Sequence, residues 1–152
     1  MQEGDEAPDF ILTGNDGNTV RLSSYKGQKN VVLCFYPKNH LFACPSNKVF
    51  KMAESIISAH PQILETESIL FAISIDTISD QKKFVEEYSI PYLHLSDIAK
   101  NTCKAYSGLN LAGLAKRSTF IINKEGKIVK IFRNINVESH GQEIINHLKS
   151  MI

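Results

Sequence analysis

The chain has 152 residues, of which 43% are apolar and 22% charged, as in an ordinary globular protein rather than a disordered chain or a coiled coil. Its length predicts one domain spanning residues 1–152. The 17 basic and 16 acidic side chains are scattered and give a formal charge of +1, which indicates neither nucleic acid nor a membrane as partner. The N-terminus lacks the basic and apolar regions of a leader, and no apolar run approaches the ~18 residues of a spanning helix, so a cytoplasmic protein is expected.

The first third of the chain predicts a hairpin, a buried strand and a helix. Asp16-Gly17 stands between two short apolar-rich runs, which is typical of a β-hairpin turn. The run VVLCFY at residues 31–36 is continuously apolar and rich in β-branched and aromatic residues, as in a central strand covered on both faces. From Pro45 to His60 apolar residues recur at helical spacing, which indicates an amphipathic helix.

The rest of the chain continues this alternation. ILFAISI at residues 69–75 predicts a second buried strand, and Ser79 precedes a second helical pattern. A short strand is expected in IPYLHLSD, with Ser96-Asp97 starting a third helix that runs through to Tyr106. STFII and KIVKIF predict an antiparallel hairpin, and residues 139–152 a terminal helix. The order of elements indicates an α/β fold with parallel crossovers.

Cysteine spacing argues against a disulfide scaffold or a zinc site. Cys34, Cys44 and Cys103 are few and far apart, and no two of them form a CxxC pair. The five histidines show no metal-ligand spacing either. Cys34 lies within a buried strand pattern and is interpreted as a core residue. Each thiol must therefore be judged by its surroundings.

Cys44 is the candidate nucleophile. It follows a buried strand and a short loop and directly precedes the predicted amphipathic helix, with Pro45 suited to the first helical turn. The unpaired N–H groups and the positive dipole end of a helix N-terminus stabilise a thiolate and lower its pKa. A thiolate in this place is nucleophilic at neutral pH. Inert packing is the alternative interpretation.

Arg117 is the second candidate, because it stands just before the predicted strand STFII rather than in a run of surface charges. A guanidinium held near a thiolate would lower the thiol pKa and could orient a polar oxygen substrate.

Three blocks in the chain resemble the peroxiredoxin family, in particular its bacterioferritin-comigratory-protein branch. The blocks are GDEAPDFILTGNDGNTVRLSSYKGQKNVVLCFYPKN, FAISIDTISDQKKFVEEYSIPYLHLSD and RSTFIINKEGKIVKIF. This resemblance implies a thioredoxin-like fold, with a mixed central sheet and an N-terminal hairpin, that reduces hydrogen peroxide or organic hydroperoxides. It also implies that no metal or organic cofactor is used.

The family's active-site motif is a proline, three residues, a threonine, two residues and the peroxidatic cysteine, completed by a distant arginine. Pro37, Cys44 and Arg117 match it. The resemblance implies that Pro37 shields the thiolate from water and that Arg117 keeps it charged. Backbone N–H groups near Ala43 and Cys44 would then bind the peroxide oxygens.

Leu41 departs from the motif, because it occupies the threonine position. The threonine hydroxyl is expected to hydrogen-bond the peroxide, which an isobutyl group cannot do. His40, Asn39 or a water could supply the missing hydrogen bond. The alternative function is a peroxidase-impaired family member that serves as a redox-sensing or binding module.

The usual resolving cysteine is missing too. In this branch it lies five residues after the first cysteine, here Val49, or in a later helix, here residues 81–84. Cys103 is the remaining candidate, with packing as the alternative. A one-cysteine cycle is the simpler hypothesis, with an external thiol such as thioredoxin, glutaredoxin or a small thiol as reductant, in a monomer or weak homodimer. Asn47 in CPSN weakens a thioredoxin-type disulfide reductase.

Overall fold

The computed structural model describes residues 1–39 and 48–152. These residues contain seven strands: β1 (Ile11–Gly14), β2 (Thr19–Arg21), β3 (Asn30–Phe35), β4 (Ser68–Ser74), β5 (His94–Ser96), β6 (Ser118–Ile122) and β7 (Ile128–Phe132). The strands form one mixed sheet in the order β2-β1-β5-β4-β3-β6-β7. The predicted α/β class, the N-terminal hairpin and the β6–β7 hairpin are confirmed.

Four α-helices are found in the same residues: α1 (Lys48–Glu65), α2 (Ile78–Tyr88), α3 (Asn101–Ala105) and α4 (His140–Ser150). A 3-10 helix, Leu22–Tyr25, precedes β3. No helix in this part of the chain is both long and apolar enough to cross a membrane.

Helix α1 continues beyond the predicted end at His60, which is therefore wrong. Pro61 lies inside the helix, where it removes one hydrogen bond and crowds the carbonyl of Ile57. Ile63, in the turn after the proline, is fully buried. Burial of that last turn offsets the cost of the proline, a tertiary effect that local sequence does not reveal.

The predicted starts of two further helices are also wrong. Thr77, rather than Ser79, caps α2, and its side chain accepts the backbone N–H of Asp80. Helix α3 begins at Asn101 because Lys100 adopts a left-handed conformation at φ 66°. The Asp97 carboxylate still accepts the N–H of Cys103 at 2.6 Å, so it caps this helix from outside the first turn.

The core has two apolar layers, one on each face of the sheet. Alternate residues of β3 point to opposite layers, as the pleat requires. Val32 and Cys34 belong to the layer formed with α1 and α4. Leu33 and Phe35 belong to the layer that contains Cys103 of α3. Strand β3 is thus covered on both faces, as its continuous apolar run predicts.

One edge of the sheet collects the ends of several strands. β3, β4 and β5 are parallel, so all three end at the same edge. β6 is antiparallel to β3 and begins there. The loops that leave or enter the sheet at this edge therefore lie near one another.

Candidate active site

Two predicted site residues lie at this common edge. Pro37 follows the end of β3 and is half-buried, and Arg117 directly precedes β6 and is also half-buried. Ser118 pairs with Phe35 in the β3–β6 register. The chain therefore passes through Arg117 beside the point where β3 leads into Pro37.

Six residues named in the sequence analysis lie outside the described residues: His40, Leu41, Ala43, Cys44, Pro45 and Asn47. The predicted helix start at Pro45 therefore lies outside them as well. The described chain ends on one side at Asn39, five positions before Cys44, and resumes at Lys48 in α1.

The other two thiols are buried. Cys34, next to the last residue of β3, is 1% exposed, as its apolar surroundings in the sequence predict, and burial raises the pKa of its thiol to about 12 despite a hydrogen bond with Thr119. Cys103 is fully buried in α3, where burial, and then the Asp97 carboxylate, raise the pKa of its thiol. Both groups are therefore held as neutral thiols at neutral pH.

A buried polar cluster, not predicted from the sequence, lies where β3 and β4 end. The Asp76 carboxylate accepts the backbone N–H of Asn39 at 3.0 Å and the hydroxyl of Ser74 at 2.6 Å. The Gln81 amide of α2 donates to the Ser74 oxygen at 3.1 Å and to the backbone carbonyl of Leu95 at 2.8 Å. The cluster thus joins the ends of β3, β4 and β5 to α2.

Asp76 is 4% exposed and lacks a described ion-pair partner within contact distance among residues 1–39 and 48–152. Burial raises the pKa of its carboxyl, while the hydrogen bonds from Ser74 and Asn39 act in the opposite direction. A buried carboxylate is costly unless hydrogen bonds satisfy it. The two donors on its Oδ2 atom supply that compensation.

Asn39 points its side chain into this cluster. Its Oδ1 accepts the hydroxyl of Tyr36 at 2.6 Å, and its Nδ2 donates to the carbonyl of Asp80 at 3.4 Å. Both ends of the amide are thus engaged inside the protein. This arrangement does not favour Asn39 as the replacement for the missing threonine hydroxyl.

One sequence signal could have located the cluster. Asp76 follows a strand of continuous apolar residues, and polar residues at the carboxyl end of a buried parallel strand commonly belong to a site. The partner on β3, however, is a backbone N–H group, which carries no side-chain signal.

Metal binding finds no support in the described part of the chain. No group of three or more His, Cys, Asp or Glu side chains lies close enough together there to hold an ion.

Comparison with known proteins shows which protein family this chain resembles. The model of the AhpC/TSA family matches residues 3–131. Peroxiredoxin Bcp of Bacillus subtilis is 34% identical, with 99% of this chain and 97% of that protein covered. Chloroplastic peroxiredoxin Q of Populus jackii is 30% identical, with 99% of this chain and 70% of that protein covered.

Solved structures agree with this relationship. Peroxidoxin BcpB of Mycobacterium tuberculosis superposes with a TM-score of 0.86 at 27% identity, covering 100% of this chain and 99% of that one. A mutant of Xylella fastidiosa PrxQ gives 0.88 at 24% identity, covering 99% and 97%, and supports the fold. The thioredoxin-like fold is confirmed. The chain belongs to the AhpC/TSA family of peroxiredoxins, in its Bcp/PrxQ branch, and is a thiol-dependent peroxidase.

Proposed function

We propose that Cys44 is the peroxidatic residue and that the protein works by a one-cysteine cycle. The Cys44 thiolate attacks one peroxide oxygen, the O–O bond breaks, and the other oxygen leaves with a proton as water or alcohol. Cys44 becomes a sulfenic acid. One external thiol then forms a mixed disulfide and releases water, and a second thiol restores Cys44 and leaves as a disulfide. Thioredoxin, glutaredoxin or a small thiol fits the role of reductant.

Arg117 and Pro37 complete this proposed site. The observation that carries the proposal is the β3–β6 register, in which the residue before β6 is an arginine at the edge where β3 leads towards Cys44. A guanidinium near a thiolate stabilises the charged form and can donate to a peroxide oxygen. The Pro37 ring, half-buried and without an N–H donor, would limit access of water to the sulfur.

Burial of the other thiols supports the one-cysteine cycle. Cys103 is fully buried in the layer on the α3 side of the sheet, and its raised pKa disfavours the thiolate that disulfide exchange requires. Cys34 is held in the same neutral state on the other side. Cys103 would need local opening of α3 to act as a resolving residue.

Leu41 sets the efficiency of the proposed reaction. Hydrogen bonds to charged groups contribute about 1.5–3 kcal/mol, so the missing hydroxyl would cost roughly 10- to 100-fold in rate. At the slow extreme the protein would act as a redox sensor that is oxidised once and then recognised by a partner.

The test is peroxide consumption with a thiol reductant supplied. Wild-type protein should consume hydrogen peroxide and an alkyl hydroperoxide much faster than Cys44→Ser, while Cys34→Ser should resemble wild type. Equal rates for wild type and Cys44→Ser would refute the assignment. A single slow oxidation without recycling, followed by intact mass, would replace the cycle with the sensor function.

A further inference from the structure

A single carboxylate ties two chain segments together at the active-site edge. Asp76 lies just beyond β4, and its Oδ2 atom accepts the backbone N–H of Asn39, which lies just beyond β3. Asn39 is the last described residue before the segment that carries Cys44. The two residues are 37 positions apart in sequence, so the bond is a tertiary one.

The carboxylate is itself held in place from several sides. Ser74 donates a hydrogen bond to the same Oδ2 atom, and the Ser74 oxygen accepts a hydrogen bond from the Gln81 amide. The Ser96 hydroxyl donates to the backbone carbonyl of Asp76 at 2.6 Å. The acceptor presented to Asn39 is therefore fixed by β4, β5 and α2, and not by the flexible rotation of one side chain.

Such an arrangement is more than local packing needs. A buried carboxylate costs free energy, and an apolar residue of similar size would avoid that cost. What the apolar residue would lack is an acceptor for the Asn39 N–H group. The position of the chain five residues before Cys44 thus depends on Asp76.

We propose that Asp76 is a positioning residue for the peroxidatic cysteine, acting through the backbone of Asn39. The inference rests on the proposed function of Cys44. Its basis is steric: the acceptor sets where the chain leaves β3, and small displacements of a reacting group are costly in rate. The negative charge of Asp76 is not required.

Three variants test this inference. Asp76→Ala removes the acceptor, whereas Asp76→Asn can place its amide oxygen where Oδ2 stands and keep both hydrogen bonds without the charge. The control is Thr66→Val at the opposite end of β4. Thr66 is buried, its hydroxyl donates to the Ile63 carbonyl at 2.7 Å, and it lies 2.9 Å from the Ser68 hydroxyl.

Peroxide consumption is the first measurement. Asp76→Ala should lose about 10- to 100-fold in rate, while Asp76→Asn should stay within about threefold of wild type. Thr66→Val should keep the wild-type rate, although urea unfolding is expected to show that this variant is less stable than wild type. If Asp76→Ala is destabilised and keeps its rate, or if Asp76→Asn is as slow as Asp76→Ala, the inference is overturned.

Should Asp76→Ala fail to fold, Asp76→Glu takes its place. This variant shifts the acceptor by one methylene and is expected to show the same loss of rate; a wild-type rate for Asp76→Glu would refute the inference.

The pH profile of Cys44 alkylation by iodoacetamide is the second measurement. Removal of the Asp76 charge would by itself lower the apparent pKa of the Cys44 thiol or leave it unchanged, whereas a misplaced Cys44 would lose its stabilising partners and its pKa would rise. Asp76→Ala should therefore move the midpoint upward. A downward shift or an unchanged midpoint would contradict the inference. Failure of Cys44 itself is distinguishable, because wild type and Cys44→Ser would then consume peroxide equally.

Discussion

The interior of β3 and the edge of the sheet at which it ends provide opposite surroundings for polar groups. Inside the sheet, the Cys34 thiol is 1% exposed, and burial raises its pKa to about 12. At the edge, Pro37 and Arg117 are half-buried, and Asp76 is buried but hydrogen-bonded. Strand β3 thus contains a thiol that burial keeps neutral, and Cys44 follows nine positions after the last residue of the strand. Burial within the strand keeps the Cys34 thiol neutral, whereas the proposed nucleophile Cys44 lies beyond the end of β3 in the sequence.

The largest expected effect is at Arg117. Arg117→Ala should reduce peroxide consumption on the order of 100-fold, because a guanidinium beside a thiolate lowers its pKa by about 1–3 units. The apparent pKa of Cys44 in iodoacetamide alkylation should rise accordingly. Lys116→Ala is the matched control, since Lys116 is the exposed neighbour in the chain. Equal rates for the two variants would remove Arg117 from the site.

A gain is expected at Leu41. Leu41→Thr restores a hydroxyl donor for the peroxide and should raise the rate about 10-fold. Leu41→Val has the shape of threonine without its hydroxyl and should not share the gain. The comparison uses second-order rate constants with hydrogen peroxide. Identical rates for both variants would show that the hydroxyl is not what the site lacks.

A pH effect on stability should come from the interior. His94 is 2% exposed, its ring contacts those of Tyr36, Phe84 and Tyr92, and burial lowers its pKa from 6.5 to about 3. The folded protein therefore keeps His94 neutral while the unfolded chain takes up a proton as the pH falls below 6.5. The contribution of neutral His94 to the free energy of unfolding is fully present above pH 6.5. It is lost as the pH falls towards 3, at about 1.4 kcal/mol per pH unit.

His94→Phe should weaken this dependence. The ring fits among its aromatic neighbours, and a cavity of about 20 Å³ beside it accommodates the small increase in size. Urea unfolding of wild type and variant at several pH values between 4 and 6.5 measures the difference in slope. Parallel curves would mean that His94 does not titrate as its burial requires.

The smallest effects are expected at the two buried thiols. Cys34→Ala and Cys103→Ala should each change steady-state turnover by less than about twofold, because burial keeps both thiols neutral and the proposed one-cysteine cycle uses neither. Their cost should be in stability, about 1 kcal/mol each. If Cys103→Ala became oxidised once by peroxide but no longer turned over, Cys103 would be the resolving residue.

Sequence patterns predict more of the fold than of the candidate site. Continuous apolar runs predict β3 and β4, and apolar residues at helical spacing predict α1 and α4. These elements can be predicted because the side chains that they bury are apolar residues of the elements themselves. The end of α1 was missed because burial of Ile63 outweighs Pro61. The start of α3 was missed because a left-handed Lys100 intervenes.

The polar cluster shows why the rest could not be predicted. Its central bond joins Asp76 to a backbone N–H group, and every residue has such a group. Only the β3–β4 register brings the two segments together. The position of Arg117 before a strand and the family motif make it a candidate site residue, whereas nothing in the sequence pairs Asn39 with Asp76.

The assignment of Cys44 as the nucleophile is tested most directly by mapping where one equivalent of peroxide oxidises the protein. Wild-type protein is treated with stoichiometric hydrogen peroxide in the presence of a sulfenic-acid trap, digested and analysed by mass spectrometry. The trap is expected on Cys44 alone, with Cys34 and Cys103 recovered as thiols. Trapping chiefly on Cys34 or Cys103, or oxidation of Cys44 no faster than that of the buried thiols, would contradict this assignment.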